Sequence, residues 1–142
     1  MSNQYTVVYD SCVLYSMPLR NVLMYLALTD LFRARWTNMI HDEWIQNLRE
    51  KRPELDPERL ERTRELMNRH IRGCLVEGFE ELIPNISLPD PDDRHIVAAV
   101  IRCGAQSIVT INLKDFPDEA LFQYDIRAIF LSCLCGSEHV ER

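Results

Sequence analysis

The chain has 142 residues, a length typical of one domain built around one hydrophobic core. Its formal net charge of -6 disfavours binding of nucleic acid through overall electrostatic attraction, because phosphate contacts need a basic surface. The charge does not exclude a nuclease, since carboxylates that hold divalent cations turn a repulsive site into an attractive one.

The location of the protein follows from its apolar segments and its cysteines. No stretch approaches the roughly 18 uncharged apolar residues of a membrane span, and the N-terminus lacks the basic and then apolar pattern of a signal segment. The five cysteines are an odd number, which favours reduced thiols over a disulfide framework. We expect a soluble, cytoplasmic protein with no membrane partner.

The first element is a strand that ends in an acid. The β-branched and aromatic run at residues 5–9 predicts a buried strand, and Asp10 follows it directly. A carboxylate there lies at the carboxyl edge of a sheet, where open α/β sheets bind ligands. Asp is also a common turn residue, so Asp10 alone decides nothing. Ser11–Met17 then leads to Pro18, which suits the first turn of a helix reaching Leu28.

A second helix is predicted between residues 37 and 50. Its apolar residues lie on one helical stripe: Ile40, Trp44, Ile45 and Leu48. Glu43 flanks this stripe, whereas Asp42 points away from it. Of the two acids, Glu43 is therefore the better placed to face inward.

The next helix begins at a clear start signal. Asp56 is a suitable N-cap, and Pro57 suits the first position of a helix that reaches about residues 70–73. Its arginines alternate with glutamates, as in the Glu58 and Arg62 pair at i,i+4 spacing. This pattern favours a solvated, self-paired face over a surface that tracks an RNA backbone. A short strand over residues 74–76 could follow.

A second group of acids precedes a buried helix. Asp90, Asp92 and Asp93 lead into a helix to about Cys103 that is apolar nearly all round, so it should be buried against a sheet. Carboxylates in a first helical turn commonly cap amides and oppose the helix dipole. Taken alone, capping explains these three acids well.

The last predicted elements are two strands. Gly104 suits the residue after a helix end, and residues 107–111 read as a second central strand that ends at Asn112. A loop at residues 113–117 contains Asp115. Residues 125–130 could form a further edge strand. The alternation of strands and helices predicts an α/β fold.

The acids therefore follow strand ends and helix starts that can meet at one rim of an α/β sheet. They are Asp10, Glu43, Asp92 or Asp93, and the Asn112–Asp115 segment. Clustered carboxylates without His or Cys are the ligands expected for Mg²⁺ or Mn²⁺. A cation held there would activate water for attack on a phosphate.

Four segments resemble the PIN-domain family, particularly its VapC-like toxin branch. They stand in the family's order over residues 5 to about 128 and comprise residues 7–15 (VVYDSCVLY), 36–44 (WTNMIHDEW), 90–99 (DPDDRHIVAA) and 108–117 (IVTINLKDFP). The resemblance implies a three-layer α/β/α sandwich with a small parallel sheet. It also implies metal-dependent endoribonuclease activity with Mg²⁺ or Mn²⁺ as cofactor.

The resemblance also assigns candidate catalytic and metal-binding residues. Asp10 matches the first family acid, Glu43 the second and Asp93 the third, with Asp92 as a close alternative or outer partner. Many family members carry Asp where this chain has Asn112. The remaining candidates are Asp115, which could supply the missing charge and bind metal, and the supporting residues Asn112, Ser11 and Thr110. A neutral amide at Asn112 should weaken a second metal position, which makes a one-metal resting site the expectation.

The family further implies partners and a boundary. We expect an RNA substrate, a cognate antitoxin protein of a type II toxin–antitoxin system, and a possible homodimer, because family members commonly pair. Residues 1–142 are expected to form a single PIN-like domain. From about residue 130 the chain departs from the family pattern, so its tail is atypical or truncated.

Two other functions stay open. A catalytically impaired PIN-like module could bind only a protein or RNA partner, because of Asn112 or the altered tail. A haloacid-dehalogenase-like phosphohydrolase could use Asp10 as a covalent nucleophile, but that family needs a second acid where this chain has Cys12.

The cysteines and histidines are assigned no catalytic or metal-binding role. Cys12 has no indicated histidine partner, which favours apolar packing over a nucleophile. Zinc binding by Cys133, Cys135 and His139 lacks a fourth ligand. The other three histidines are expected on the surface or on helix faces: His41, His70 and His95.

Overall fold

A parallel sheet of four strands forms the centre of the fold in the computed structural model, which describes residues 5–130. The strands lie in the order β2-β1-β3-β4, and every neighbouring pair is parallel. Their bounds are β1 Thr6–Tyr9, β2 Arg33–Arg35, β3 Ser107–Thr110 and β4 Arg127–Phe130.

The helices fill the connections between these strands. The α-helices are α1 Ser11–Tyr15, α2 Met17–Leu28, α3 Asn38–Lys51, α4 Pro57–His70, α5 Arg94–Cys103 and α6 Asp118–Leu121. Short 3₁₀ helices cover Glu80–Asn85, Pro91–Asp93, Leu113–Asp115 and Phe122–Tyr124.

Helices cover both faces of the sheet. The neighbours Val7 and Val8 point to opposite faces of β1, and both are fully buried. The connection from β1 to β2 runs in one direction across the sheet, and that from β2 to β3 runs in the other. Among the helices of the second connection, α5 packs on β1 and β3, whereas α3 packs on α1 of the first connection. The predicted α/β/α sandwich with a small parallel sheet is confirmed.

A buried polar network fixes α3 to the core. The ring of His41 is fully buried, with Nε2 2.9 Å from Oδ1 of Asn68. Its Nδ1 accepts a bond of 3.0 Å from Nε1 of Trp44, and Trp36 donates to the same oxygen of Asn68 at 2.8 Å. Both ring nitrogens are thus used by a neutral imidazole. His41 lies on a helix face, within the expectation of a surface or helix-face position, but that face is buried and this network satisfies the ring inside the core.

Local signals predicted several helix ends correctly. Asp56 caps α4 by accepting a bond from the Glu58 amide, and Pro18 stands in the first turn of α2. Gly104 ends α5 with a φ of 72°, a conformation that suits residues without Cβ. The sequence predictions of these three ends are confirmed.

Three local features differ from the predictions. Residues 11–15 form the helix α1, where we expected a connection, and the strand β2 was not predicted. Its sequence Arg33-Ala34-Arg35 has little intrinsic strand preference and is held by pairing with β1. Residues 74–76 contribute only one bridge, between Leu75 and Trp36, among the described residues.

Two expectations concern the membrane and the tail. Within residues 5–130, none of the helices combines the length and the apolar character that a bilayer span needs. The predicted atypical tail, with Cys133, Cys135 and His139, lies outside the described residues.

Candidate active site

Asp10 leaves the end of β1 and turns its carboxylate inward. Its amide donates to the carbonyl of Val109 at 3.0 Å, which continues the pairing of β1 with β3. The residue is only 5% exposed, and its Oδ2 accepts bonds from the Thr110 hydroxyl at 2.9 Å and the Cys12 thiol at 3.2 Å. Although Asp10 stands at the start of α1, its side chain makes no capping bond. The carboxylate is thus not explained by a turn or a cap.

Burial raises the pKa of Asp10 above its ordinary value, because the charged form is poorly solvated there. The hydrogen bonds from Cys12, Thr110 and the Ser11 amide act in the opposite direction, and the charge of Glu43 adds to the increase. A cation beside Asp10 would relieve both unfavourable effects.

The Cys12 thiol donates a hydrogen bond to the Asp10 carboxylate. Burial, followed by the nearby charge of Asp10, raises the pKa of this thiol to about 12. A thiol with so high a pKa stays protonated at neutral pH and is a poor nucleophile. The geometry agrees with the interpretation of Cys12 as a bystander to nucleophilic chemistry.

The three acids before α5 have different surroundings. Asp90 accepts a bond of 2.9 Å from the Asp92 amide, so it acts as a cap. Asp92 is exposed. Asp93 makes no capping bond at the start of α5, and its Oδ2 is buried without a hydrogen-bond partner within the described residues. Capping therefore explains Asp90, but it does not explain Asp93.

Asp93 lies in a strongly negative environment. Burial, followed by the charges of four other acids in the order Asp10, Asp115, Asp90 and Glu43, raises the pKa of its carboxyl to about 7. These acids come from the end of β1, from α3, from the start of α5 and from the segment after β3. The fold thus brings Asp10, Glu43 and Asp115 within electrostatic reach of Asp93.

Glu43 is held by a residue that sequence reasoning missed. Its Oε2 lies 2.8 Å from Nε2 of His95, which is only 4% exposed. His95 lies on a helix face, within the expectation of a surface or helix-face position, but its burial and its bond to Glu43 were not predicted. One signal was available, because position 95 precedes the fully buried run Ile96–Val100 by one residue.

The segment after β3 supplies the remaining predicted residues. Thr110 is fully buried, and its hydroxyl donates to Asp10 while accepting a bond of 2.9 Å from the Asn112 amide. Asn112 itself is exposed, and Asp115 is half-buried at the end of the 3₁₀ helix. Ser11, half-buried, begins α1 next to Asp10.

The donor set fits a hard cation that keeps most of its water. In residues 5–130 no three or more His, Cys, Asp or Glu side chains are arranged to hold a metal ion by themselves. A hydrated Mg²⁺ needs only one or two direct carboxylates. Such oxygens are offered by the buried carboxylate of Asp10 and by Oδ2 of Asp93, which has no hydrogen-bond partner in the described part of the chain.

A groove of about 510 Å³ adjoins this cluster between α3 and α4. Glu43 lines the groove, whereas Asp10, Asp93 and Asp115 do not. Its wall also contains Arg64, which pairs with Asp42 at 2.6 Å and with Glu61 at 3.1 Å. The predicted self-paired charges of α4 thus include pairs that reach α3.

Comparisons with known proteins place the chain in a family. A curated relative from Mycobacterium tuberculosis (strain ATCC 25618 / H37Rv), described as "Putative ribonuclease VapC50", is 57% identical over 52 residues. That alignment covers 37% of this chain and 30% of the relative, so the chain matches about a third of the relative's length. A family model described as "PIN domain" matches residues 6–114. The chain therefore belongs to the PIN-domain family and resembles its VapC-like members.

Proposed function

We propose that the chain is a Mg²⁺- or Mn²⁺-dependent endoribonuclease that cleaves RNA phosphodiester bonds. The observation that carries the proposal is the convergence of Asp10, Glu43 and Asp115 on Asp93, whose Oδ2 is buried without a hydrogen-bond partner among residues 5–130. Membership of the PIN-domain family and the ribonuclease name of the partial relative support it.

The residues of the cluster have distinct roles in this proposal. Asp10, Glu43 and Asp93 would bind the metal, directly or through water, and Asp115 would add charge beside Asp93. Asp92, which is exposed, would be an alternative metal ligand to Asp93 or its outer partner. Ser11, Thr110 and Asn112 would support it, Thr110 by fixing the orientation of the Asp10 carboxylate.

A cation is needed for two physical reasons. The chain carries a formal net charge of -6, so an RNA backbone would be repelled from a cluster of bare carboxylates. When bound, the metal supplies Lewis acidity: it activates water for attack on phosphorus and offsets charge on the phosphoryl oxygens. Asp10 and Asp93 are also the acids whose pKa burial and neighbouring charges raise, which a positive ion would reverse.

We further propose that the ribonuclease is the toxin of a type II toxin–antitoxin pair in the cytoplasm. A cognate antitoxin would silence it by covering the acidic cluster, most simply with an Arg or Lys that takes the place of metal and RNA. The PIN-domain match and the VapC50 name of the relative support this role. The active form would be a homodimer, as is common in the family.

The alternative function is a PIN-like module that binds a partner without cleaving RNA. Asn112 favours this alternative, because an exposed amide stands where many relatives carry an acid. Phosphohydrolysis with Asp10 as a covalent nucleophile is less favoured, since a protonated thiol occupies the position of the second acid that such enzymes need.

One experiment separates these functions. Purified protein is incubated with a mixture of structured RNAs in Mg²⁺, in Mn²⁺ or in chelator, beside an Asp10→Asn variant. The control is Asp56→Asn, the same chemical change at an exposed N-cap where Asn also caps well. We expect metal-dependent cleavage by the wild type and the control alone. Cleavage that persists in chelator or in Asp10→Asn would contradict the metal site, and cleavage under no condition would favour the binding module.

A further inference from the structure

His95 connects the helix that carries Glu43 to the helix that follows Asp93. Its ring, 4% exposed, lies in the first turn of α5, two residues after Asp93. The Nε2 atom is 2.8 Å from Oε2 of Glu43 on α3, a residue 52 positions away in the chain. One hydrogen bond thus relates the position of one predicted metal-binding acid to that of another.

We propose that His95 is a positioning residue that holds the Glu43 carboxylate towards Asp10 and Asp93. A glutamate side chain has three rotatable bonds, and Glu43 is 33% exposed, so without a partner it would sample several rotamers. The bond from the buried ring fixes Oε2 and leaves Oε1 for a hydrated cation. This inference rests on the proposed function, because it assigns Glu43 to the metal site.

The hydrogen bonding of the ring favours this role over a packing role. Within the described residues, Nδ1 of His95 is buried without a hydrogen-bond partner, so Glu43 accounts for the bonding of the ring. Burial of an unpartnered polar atom costs free energy, and an apolar side chain at this position would avoid that cost. The polar ring is therefore explained by its bond to Glu43.

His41 provides a contrast within the same molecule. It is also buried, but both of its nitrogens bond inside the core, to Asn68 and Trp44. His41 therefore joins structural elements, whereas His95 bonds to an acid of the candidate site. Hydrogen bonds from outer residues commonly orient metal-binding carboxylates, and their loss typically weakens metal binding roughly 10- to 100-fold.

The test is a double-mutant cycle read by the affinity for Mn²⁺. Calorimetry measures Mn²⁺ binding to wild type, His95→Leu, Glu43→Ala and the double variant. We expect His95→Leu to weaken binding roughly 10- to 100-fold and to add little once Glu43 is already alanine. His95→Gln, whose amide can donate to Glu43, should recover part of the loss. Wild-type affinity in folded His95→Leu, or losses that multiply in the double variant, would overturn the proposal.

Two further measurements distinguish loss of the positioning bond from structural damage and from failure of the proposed function. The control His41→Gln should lower the thermal midpoint while the folded fraction keeps wild-type Mn²⁺ affinity. In the metal-free protein, nitrogen NMR of the His95 ring should show an Nε2 resonance that shifts in Glu43→Ala. If the wild type binds no Mn²⁺, the proposed metal site is wrong. The NMR comparison then tests only whether His95 bonds to Glu43. An unchanged Nε2 resonance overturns the positioning role.

Discussion

The Thr110 hydroxyl donates a hydrogen bond of 2.9 Å to Oδ2 of Asp10, which joins the carboxyl ends of the neighbouring strands β3 and β1. The same hydroxyl accepts a bond from the backbone N–H of Asn112, so it also fixes the direction in which the chain leaves β3. Thr110 and Asp10 are both buried. A single side chain thus orients the first predicted metal ligand and starts the segment that contains Asp115.

Thr110→Val should impair both stability and activity. The change keeps the shape of the side chain but leaves the Asp10 carboxylate and the Asn112 amide short of a partner, which should lower the free energy of unfolding by about 1–3 kcal/mol. Urea unfolding of Thr110→Val and Thr110→Ser measures it, and serine should retain most of the stability because it keeps the hydroxyl. Wild-type stability of Thr110→Val together with a loss in Thr110→Ser would show that the methyl group, not the hydrogen bond, matters.

Asp93→Asn should stabilise the metal-free protein while it abolishes cleavage. The folded-state pKa of Asp93, about 7, lies above the unfolded value of 3.8, so the wild type loses stability as pH rises between them. The variant lacks this loss, and its advantage in free energy of unfolding should grow over that range and persist at pH 8. Chemical unfolding at several pH values in chelator measures the difference. A variant less stable than wild type at pH 8 would show that the Asp93 charge does not destabilise the folded protein.

His41 should make the protein sensitive to acid. Burial lowers the pKa of His41 to about 4 from 6.5, so the unfolded chain takes up a proton that the folded protein excludes between these values. Stability should therefore fall as pH drops from 6.5 towards 4, by up to about 3 kcal/mol.

The measurement for His41 needs a background free of Asp93, which acts in the opposite direction over an overlapping range. Unfolding curves of Asp93→Asn should show the acid-dependent loss, and Asp93→Asn combined with His41→Gln should show a flatter profile at lower overall stability. A slope that is unchanged when His41 is removed would assign the acid sensitivity to other groups.

Asn112→Asp tests the weakened fourth position. The exposed amide would become a carboxylate beside Thr110 and near Asp115, which should favour a second cation. Calorimetric titration with Mn²⁺ should give a stoichiometry near one for the wild type and approaching two for the variant. Identical stoichiometries would show that position 112 does not decide the number of metals.

The sequence predicted what depends on local chemistry. Three features follow from residue type and spacing over a few positions: the buried strand before Asp10, the greater burial of Glu43 than of Asp42, and the cap of α4 by Asp56. The parallel sheet then follows, because its strands alternate with helices. The family was recognisable because four such segments stand in a fixed order.

The features that were missed depend on contacts between distant residues. The strand β2 exists because β1 pairs with it, not because Arg33-Ala34-Arg35 favours a strand. Asp90 and Asp93 differ in whether the carboxylate reaches a backbone amide, and the sequence does not distinguish two aspartates in the same helical turn. The bond between His95 and Glu43 joins two helices across 52 positions, beyond the reach of helical periodicity.

Metal-dependent cleavage at the acidic cluster is tested most directly by the rate of RNA cleavage as Mn²⁺ is added back to chelator-treated protein under single-turnover conditions. We expect no cleavage without metal and a saturating increase whose midpoint matches the dissociation constant for Mn²⁺ from calorimetry. Asp93→Asn should stay inactive at every Mn²⁺ concentration, although it is as stable as the wild type or more so. Cleavage at the same rate in chelator, or full activity of Asp93→Asn, would show that cleavage does not depend on a metal held by these acids.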